Sequence, residues 1–362
     1  MGALPIAAVF PGQARPLDRF HGAVHLARMS MDAPSPRLKR KPRVVVTRRM
    51  LAPVEQRMAE LFDARFNETD TPFTRDELAA AMAGADVLVP TVTDRLDAAL
   101  LRDAEGLGLI ASFGAGTDHI DLAAAADAGI MVTNTPGVFT DDTADLAMAG
   151  IIGVPRRVRE GVELIRSGQW TGWTPTALLG RKLAGKTLGI VGMGRIGQAV
   201  AHRARAFGLE IAYHNRKRLP EALERMVGAR YVADLDALLG EADIVTLHCP
   251  ATEATRGLID ARRLALMKPG ASLINTARGE LIDYDALVDA LERGHLAGAG
   301  LDVYPDEPQV DPRLIRHPNV MTLPHIGSAT QEGREESGMK VIANIRVWAD
   351  GHRPPDQVLA GL

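Results

Sequence analysis

The sequence predicts an α/β protein of two doubly wound parallel-sheet domains, and three observations carry that reading. Short β-branched runs alternate with Ala/Leu-rich amphipathic stretches from Arg43 onward, the pattern of strands joined by crossover helices. The alternation falls into two series separated by a strong helical segment. The chain has 362 residues, more than one hydrophobic core usually organises.

Residues 1–41 stand apart. Scattered Pro and Arg (Pro11, Arg15, Pro16, Arg28, Pro34, Pro36) lead into a basic run at 37–43 without helical or strand period. A disordered extension is expected there. The first apolar stretch has no basic flank before it, which argues against a secretory signal. The scarcity of acids leaves a transit peptide as an alternative, and Met29 and Met31 offer alternative starts.

The first series places strands at 44–46, 87–89, 109–112 and 130–133, with helices at 53–61 and 75–82. A helical connector follows. Thr140, Asp141 and Asp142 are suited to cap its start, and 144–152 supply its apolar spacing. Gly153 and Pro155 interrupt it, because proline removes a backbone donor and clashes with the preceding turn; a kink or end, and the hinge between domains, are expected here. The second series places strands at 188–191, 211–213, 244–247, 273–275, 300–303 and 321–323. The tail at 331–350 reads as a helix that returns to the first domain. That domain is then discontinuous, 42–140 with 326–362, and 141–325 form the other.

Composition excludes several function classes. Hydrophobic residues are 46% and charged residues 24% of the chain, and the net charge is −3, so no nucleic-acid partner is indicated. No apolar run reaches the roughly 18 residues that span a bilayer. One cysteine, Cys249, excludes an internal disulfide and a multi-cysteine metal site, and a cytoplasmic protein without a metal is expected.

The segment 188–197, Leu-Gly-Ile-Val-Gly-Met-Gly-Arg-Ile-Gly, carries Gly192, Gly194 and Gly197 in GxGxxG spacing. It follows an apolar strand and opens a helix expected at 198–207, the context a dinucleotide-binding turn requires. Gly192 makes the tight turn, Gly194 admits a pyrophosphate to the backbone, and Gly197 allows close helix–strand packing. The amides of Arg195 and Ile196 then face the phosphates at the positive helix end. At the end of the next strand, where an acid would hold the ribose hydroxyls of NAD, the chain reads His214, Asn215, Arg216, Lys217 and Arg218. An acid would repel a 2′-phosphate and guanidinium groups pair with one, so NADPH is expected to be preferred over NADH. Arg216 is the first candidate for the phosphate and Arg218 the second; a solvated basic loop is the alternative.

Three further strand ends carry chemistry: 273–279, ending in Arg278; 300–308, ending in an acidic, proline-bounded loop; and 323–330, with His325. Carboxyl ends of a doubly wound sheet line one crevice. One arginine, one carboxylate and one histidine are therefore brought beside the nicotinamide. Reduction of a 2-keto acid needs that set. A protonated histidine gives a proton to the carbonyl oxygen as hydride arrives, a carboxylate supports the imidazolium, and an arginine pairs with the substrate carboxylate and polarises the ketone.

These segments, together with 113–121 (Phe-Gly-Ala-Gly-Thr-Asp-His-Ile-Asp), 134–137 (Asn-Thr-Pro-Gly) and 140–145 (Thr-Asp-Asp-Thr-Ala-Asp), resemble the D-2-hydroxyacid dehydrogenase family, in particular its glyoxylate and hydroxypyruvate reductase branch. The resemblance implies a Rossmann cofactor domain inserted in a flavodoxin-like substrate domain. It assigns Arg278, Glu307 and His325 the roles of substrate-binding arginine, histidine-orienting acid and proton donor. Asp306 neighbours Glu307, but the position just before Pro308 matches the family. The resemblance places Ala115 and Gly116 in the loop whose amides hold the substrate carboxylate. It makes Cys249, Thr276, Ala277, Arg278, Asp302 and the stretch from His325 through Gly327 and Ser328 cofactor contacts. Glu307 argues against formate, since formate-oxidising relatives carry glutamine there. Asp145 stands where many relatives carry Glu. The extra C-terminal regulatory domain of many phosphoglycerate dehydrogenases is not expected. Trp170 and Trp173 resemble a segment that in mammalian reductases reaches the neighbouring subunit's pocket, with interface packing the alternative; either implies a homodimer. The same scaffold acting on phosphite or a bulkier 2-keto acid, and a nucleotide-sensing corepressor-like binding protein, are the competing functions.

Overall fold

The computed structural model describes residues 38–359. Five parallel strands form the first sheet: β1 (Arg43–Val46), β2 (Asp63–Phe66), β3 (Val87–Val89), β4 (Leu109–Ala111) and β5 (Met131–Thr133), in the order β2-β1-β3-β4-β5. Helices α1 (Ala52–Leu61), α2 (Arg75–Met82), α3 (Ala98–Arg102) and α4 (Leu122–Asp127) connect them. The order reverses direction at β1, the flavodoxin-like doubly wound pattern.

The connector is α5 (Thr140–Gly153), followed by α6 (Val158–Arg166). The second sheet holds β6 (Thr187–Val191), β7 (Glu210–His214), β8 (Ala229–Tyr231), β9 (Ile244–Leu247), β10 (Ala271–Asn275), β11 (Leu296–Leu301) and β12 (Val320–Thr322), all parallel, in the order β12-β11-β10-β9-β6-β7-β8. Between them run α7 (Arg195–Ala206), α8 (Glu221–Val227), α9 (Leu235–Glu241), α10 (Ala261–Leu266), α11 (Tyr284–Glu292) and α12 (Pro312–Arg316). The chain departs from β6 to one side and returns to β9 on the other, so the switch point lies between these two strands, where such sheets bind ligands. The final helix, α13 (Gln331–Ala349), packs Val341, Ile342, Ile345 and Trp348 into the core of the first sheet, with Val44, Val87 and Leu109. Beyond it, the Val358 amide bonds the Val132 carbonyl at 2.8 Å.

Several elements differ from their sequence readings. The edge strands β2 and β8 lack an apolar run and alternate exposed with half-buried residues, so no strand period marked them. Strand β11 begins before residue 300 because it is built of small residues. A Cβ on Gly298 would stand 2.4 Å from the Asn319 carbonyl and 2.8 Å from Val154; close packing of the connector excludes the β-branched residues that usually announce a strand. Helix α5 is capped by Phe139 without a side-chain bond, not by Thr140, Asp141 or Asp142. These acids have other partners: Asp141 and Asp145 accept from Arg203 on α7 at 2.7 and 2.6 Å, and Asp142 accepts from the Thr330 hydroxyl at 2.7 Å. The reach of Arg203 gives Asp145 its role. The helix does end at Gly153, as Pro155 predicts.

The extension expected over 1–41 lies outside the described residues up to position 37. Residues 38–41 belong to the folded unit instead: the Leu38 amide bonds the Ala349 carbonyl at 3.1 Å, and Arg40 meets Asp86 at 2.6 and 2.8 Å. No helix among the described residues is long and apolar enough to cross a membrane.

The return of α13 depends on close contact with α1. A Cβ on Gly338 would lie 2.5 Å from both methyl groups of Val54, which is fully buried. Alanine favours a helix interior over glycine by about 1 kcal/mol, but overpacking costs roughly 1–3 kcal/mol. Gly338→Ala is therefore expected to lower the unfolding free energy by about 1 kcal/mol net, read as a lower urea midpoint. An unchanged or raised midpoint would mean that the two helices do not touch there.

Candidate active site

Each glycine of the 192–197 turn has a different steric reason. Gly192 has φ +100°, and a Cβ there would sit 2.6 Å from the Cys249 amide and the His248 carbonyl carbon. On Gly197 a Cβ would meet the Gly192 carbonyl at 2.2 Å, so only glycine lets α7 approach β6. Around Gly194 nothing lies within 4 Å of the added atom, and the residue caps α7 with no side-chain bond. Among the described residues the first-turn amides of Arg195 and Ile196 have no side-chain acceptor, and the space beside Gly194 is open, which suits a phosphate. The Met193 amide donates to the Asn215 side chain at 2.7 Å, tying the end of β7 to the turn.

The basic loop after β7 divides. Arg218, expected at the cofactor, is bidentate to Glu224 at 2.9 and 2.7 Å and lies over the Tyr231 ring at 5.7 Å. Glu224 is buried and also accepts the Tyr213 hydroxyl at 2.6 Å; a buried carboxylate needs these partners. Arg216 and Lys217 are exposed and form no ion pair or hydrogen bond among the described residues. Cys249 is half-buried, and burial pushes its thiol up to about 11, so it remains a neutral packing group at the turn.

Beyond β10, fully buried Asn275 pins the next turn: it accepts the Ala277 amide at 3.0 Å and donates to the Arg278 carbonyl at 2.8 Å. The buried hydroxyl oxygen of Thr276 has no partner among the described residues, an orphan of the kind a bound cofactor satisfies. Arg278 reaches out of this turn and pairs with Asp118, Nε at 3.0 Å and Nη2 at 3.0 Å from the carboxylate.

After β11, Asp302 is 1% exposed, and its two oxygens accept the amides of Ile326 and Gly327, each at 2.8 Å. Burial nevertheless holds its carboxyl above the usual carboxylate range. Its carbonyl accepts the His325 amide at 2.9 Å, and the Gly327 carbonyl accepts the Thr143 hydroxyl at 3.0 Å. Held from both sides, His325 adopts the left-handed conformation, φ +54°, uncommon for a residue with a side chain. Its Nδ1 lies 2.7 Å from Glu307 Oε2, while Glu307 Oε1 accepts the Tyr304 amide at 2.9 Å. Burial alone would raise the Glu307 carboxyl; the bond and charge of His325 outweigh it and hold the group below the usual range. Nε2 of His325 has no partner among the described residues. Desolvation pushes buried His119 and half-buried His248 down to about 4, so both are neutral imidazoles at neutral pH.

In the first sheet's crevice loop, the Ala115 carbonyl accepts from Asn134 at 2.7 Å, and the amides of Ala115 and Gly116 have no acceptor among the described residues. The structure therefore gathers Ala115, Gly116, Arg278, Glu307 and His325 at strand ends of two facing sheets, with Asp302, Gly327 and Ser328 in the turn behind the histidine. Asp118, within the family-like stretch 113–121 but given no role in the sequence reading, is the residue that meets Arg278 here. A cavity of ≈ 200 Å³ lined by Arg181, Lys186 and Ser272 opens at the opposite, amino ends of the second sheet.

The family model described as D-isomer specific 2-hydroxyacid dehydrogenase, NAD binding domain, matches residues 148–327. A glyoxylate reductase of Thermococcus litoralis is 45% identical over 322 residues, 88% of this chain and 97% of that protein. A glyoxylate reductase of Aeropyrum pernix is 42% identical over 325 residues, 88% of this chain and 96% of that protein. The crystal structure of an NADPH-dependent glyoxylate/hydroxypyruvate reductase from Sinorhizobium meliloti, in complex with NADP and malonate, superimposes with a TM-score of 0.79 at 33% identity, covering 88% of this chain and 97% of that one. With this likeness over nearly the whole length of each relative, the chain belongs to the D-isomer specific 2-hydroxyacid dehydrogenase family, nicotinamide-dependent oxidoreductases.

Proposed function

We propose that the protein reduces a small 2-keto acid, glyoxylate or hydroxypyruvate, to the D-2-hydroxy acid, with NADPH as the preferred cofactor. The observation that carries this reading is the Glu307–His325 contact of 2.7 Å at the crevice Arg278 enters, beyond the open glycine turn. The names of the relatives support the substrate class. The bound cofactor supplies the hydride. The chain's part is to place and protonate the ketone. Arg278 receives the substrate carboxylate, with the amides of Ala115 and Gly116 as further donors. His325, protonated, holds its Nδ1–H against Glu307 and gives the Nε2 proton to the carbonyl oxygen. Glu307, ionised, offsets the imidazolium charge and fixes the ring.

The cofactor preference rests on the loop after β7. It carries no acid, Arg216 and Lys217 are exposed, and Arg218 is engaged by Glu224. The 2′-phosphate contact therefore falls to Arg216, with Lys217 beside it and Asn215 on the ribose. Gly192, Gly194, Gly197, Thr276, Ala277, Asp302, Gly327 and Ser328 would line the rest of the cofactor's path.

A homodimer accompanies this reading. Helix α6 buries none of its residues. Val158, Val162 and Ile165 form an exposed apolar stripe at helical spacing, continued by Trp170 and Trp173, which are 56% and 82% exposed. Such a patch marks an interaction surface.

Two experiments test these points. The first follows a panel of 2-keto acids at the nicotinamide absorbance with NADPH and NADH. Glyoxylate or hydroxypyruvate should be turned over best, and with NADPH. In Arg216→Ala the KM for NADPH should rise roughly ten- to a hundredfold, the worth of one charge-assisted contact, with NADH little changed. A wild-type enzyme that reduces none of these acids would remove the activity, and equal loss with both cofactors would remove the phosphate contact. The second is sedimentation of Val162→Asp: a charge in the α6 stripe should convert dimer to monomer, and an unchanged mass would place the interface elsewhere.

A further inference from the structure

Arg278 is not alone in the crevice. Asp118, from the loop after β4 in the first sheet, meets it across the two sheets with Nε at 3.1 and 3.0 Å from the two carboxylate oxygens and Nη2 at 3.0 Å from Oδ1. On its other side, Arg278 Nη1 donates to the Ala277 carbonyl at 2.7 Å. A guanidinium has five N–H donors. Asp118 takes those of Nε and one of Nη2, Ala277 takes one of Nη1, and one N–H remains on each terminal nitrogen. Gly116 keeps the approach open: a Cβ there would lie 2.0 Å from Arg278 Nη2 and 2.9 Å from Asp118 Oδ1.

We propose that Asp118 is a positioning residue that sets the rotation of the Arg278 fork, so that its two remaining N–H groups face the substrate's carboxylate and carbonyl oxygens. The inference rests on the reading of Arg278 as the substrate-binding arginine. An acid beside the group that receives an anion is otherwise a cost: it lowers the local positive charge and weakens attraction for the substrate. Burial would raise the Asp118 carboxyl, but the hydrogen bonds and charge of Arg278 hold it below the usual carboxylate range, so that opposing charge is present. Its compensation lies in orientation. A planar fork fixed at Nε and Nη2 by one carboxylate, and at Nη1 by a carbonyl, cannot spin about its end. A 2-keto acid offers adjacent carboxylate and carbonyl oxygens, which two donors of a fixed fork match. Because the two residues come from different sheets, the fork is set only when the crevice is assembled.

This predicts a split that mere structural support would not give. In Asp118→Asn the fork loses one charged acceptor while the site gains positive charge. The kcat for keto-acid reduction should fall roughly ten- to a hundredfold, the scale of a small misplacement of a reacting group. The inhibition constant of oxalate, a dicarboxylate with no reducible carbonyl, should stay the same or fall. A kcat within about threefold of wild type, or an oxalate constant that rises in step with the loss of kcat, would overturn the proposal. NADPH affinity reports that the variant is folded; if it is lost, Asp118→Glu, which keeps the charge but displaces it, is read by the same two constants. Failure of the wild-type enzyme to reduce any keto acid would instead count against the reading of the whole site.

Discussion

The carboxylate of Asp302 accepts the amides of Ile326 and Gly327 at 2.8 Å each, while its carbonyl takes the amide of His325. These three bonds force the chain after β12 to turn sharply, and the turn places His325 in the left-handed region. Backbone held in such a region is maintained only where the surroundings over-determine it, and this happens most at functional sites. The imidazole is thereby aimed at Glu307, whose other oxygen is anchored on the Tyr304 amide. One buried acid thus fixes the orientation of the His325–Glu307 pair, to which the proposed chemistry is assigned.

The same turn is gripped from the connector between the sheets. Thr143 of α5 bonds the Gly327 carbonyl and Asp142 accepts from Thr330, while Arg203 ties α7 to Asp141 and Asp145. The helix that leaves the first sheet therefore supports both the glycine turn, through α7, and the histidine turn. Its small residues permit this: a Cβ on Gly150 would already lie 3.1 Å from Ile274. From the other side, Arg334 of α13 bonds the Ser328 carbonyl at 2.8 Å and lies over the Phe113 ring at 5.9 Å, joining the histidine turn to the loop that carries Ala115 and Gly116.

Much of this was legible in the sequence because it is written in local chemistry. The glycine spacing followed a strand and preceded a helix, and Arg278, Glu307 and His325 each sat just past an apolar run. Boundaries and partners were less legible. Strand β11 hid among glycines because α5 and its following turn press on it, and β2 and β8 hid because edge strands need no apolar run. Arg218 stood second to Arg216 for the phosphate until Glu224, six residues on, claimed it. Asp118 sat in a family-like stretch, but its pairing with Arg278 was not legible, since the two lie 160 residues apart and only the packing of two sheets brings them together.

The central claim is that Glu307 fixes the imidazole of His325 so that it delivers a proton from Nε2. The kcat for keto-acid reduction and the affinity for NADPH, measured for wild type and Glu307→Gln, test this directly, because the amide keeps the size of the side chain and loses the charge that faces Nδ1. The account predicts a kcat lower by roughly a hundredfold or more with NADPH affinity little changed; an unchanged kcat would contradict it and take Glu307 out of the proton transfer.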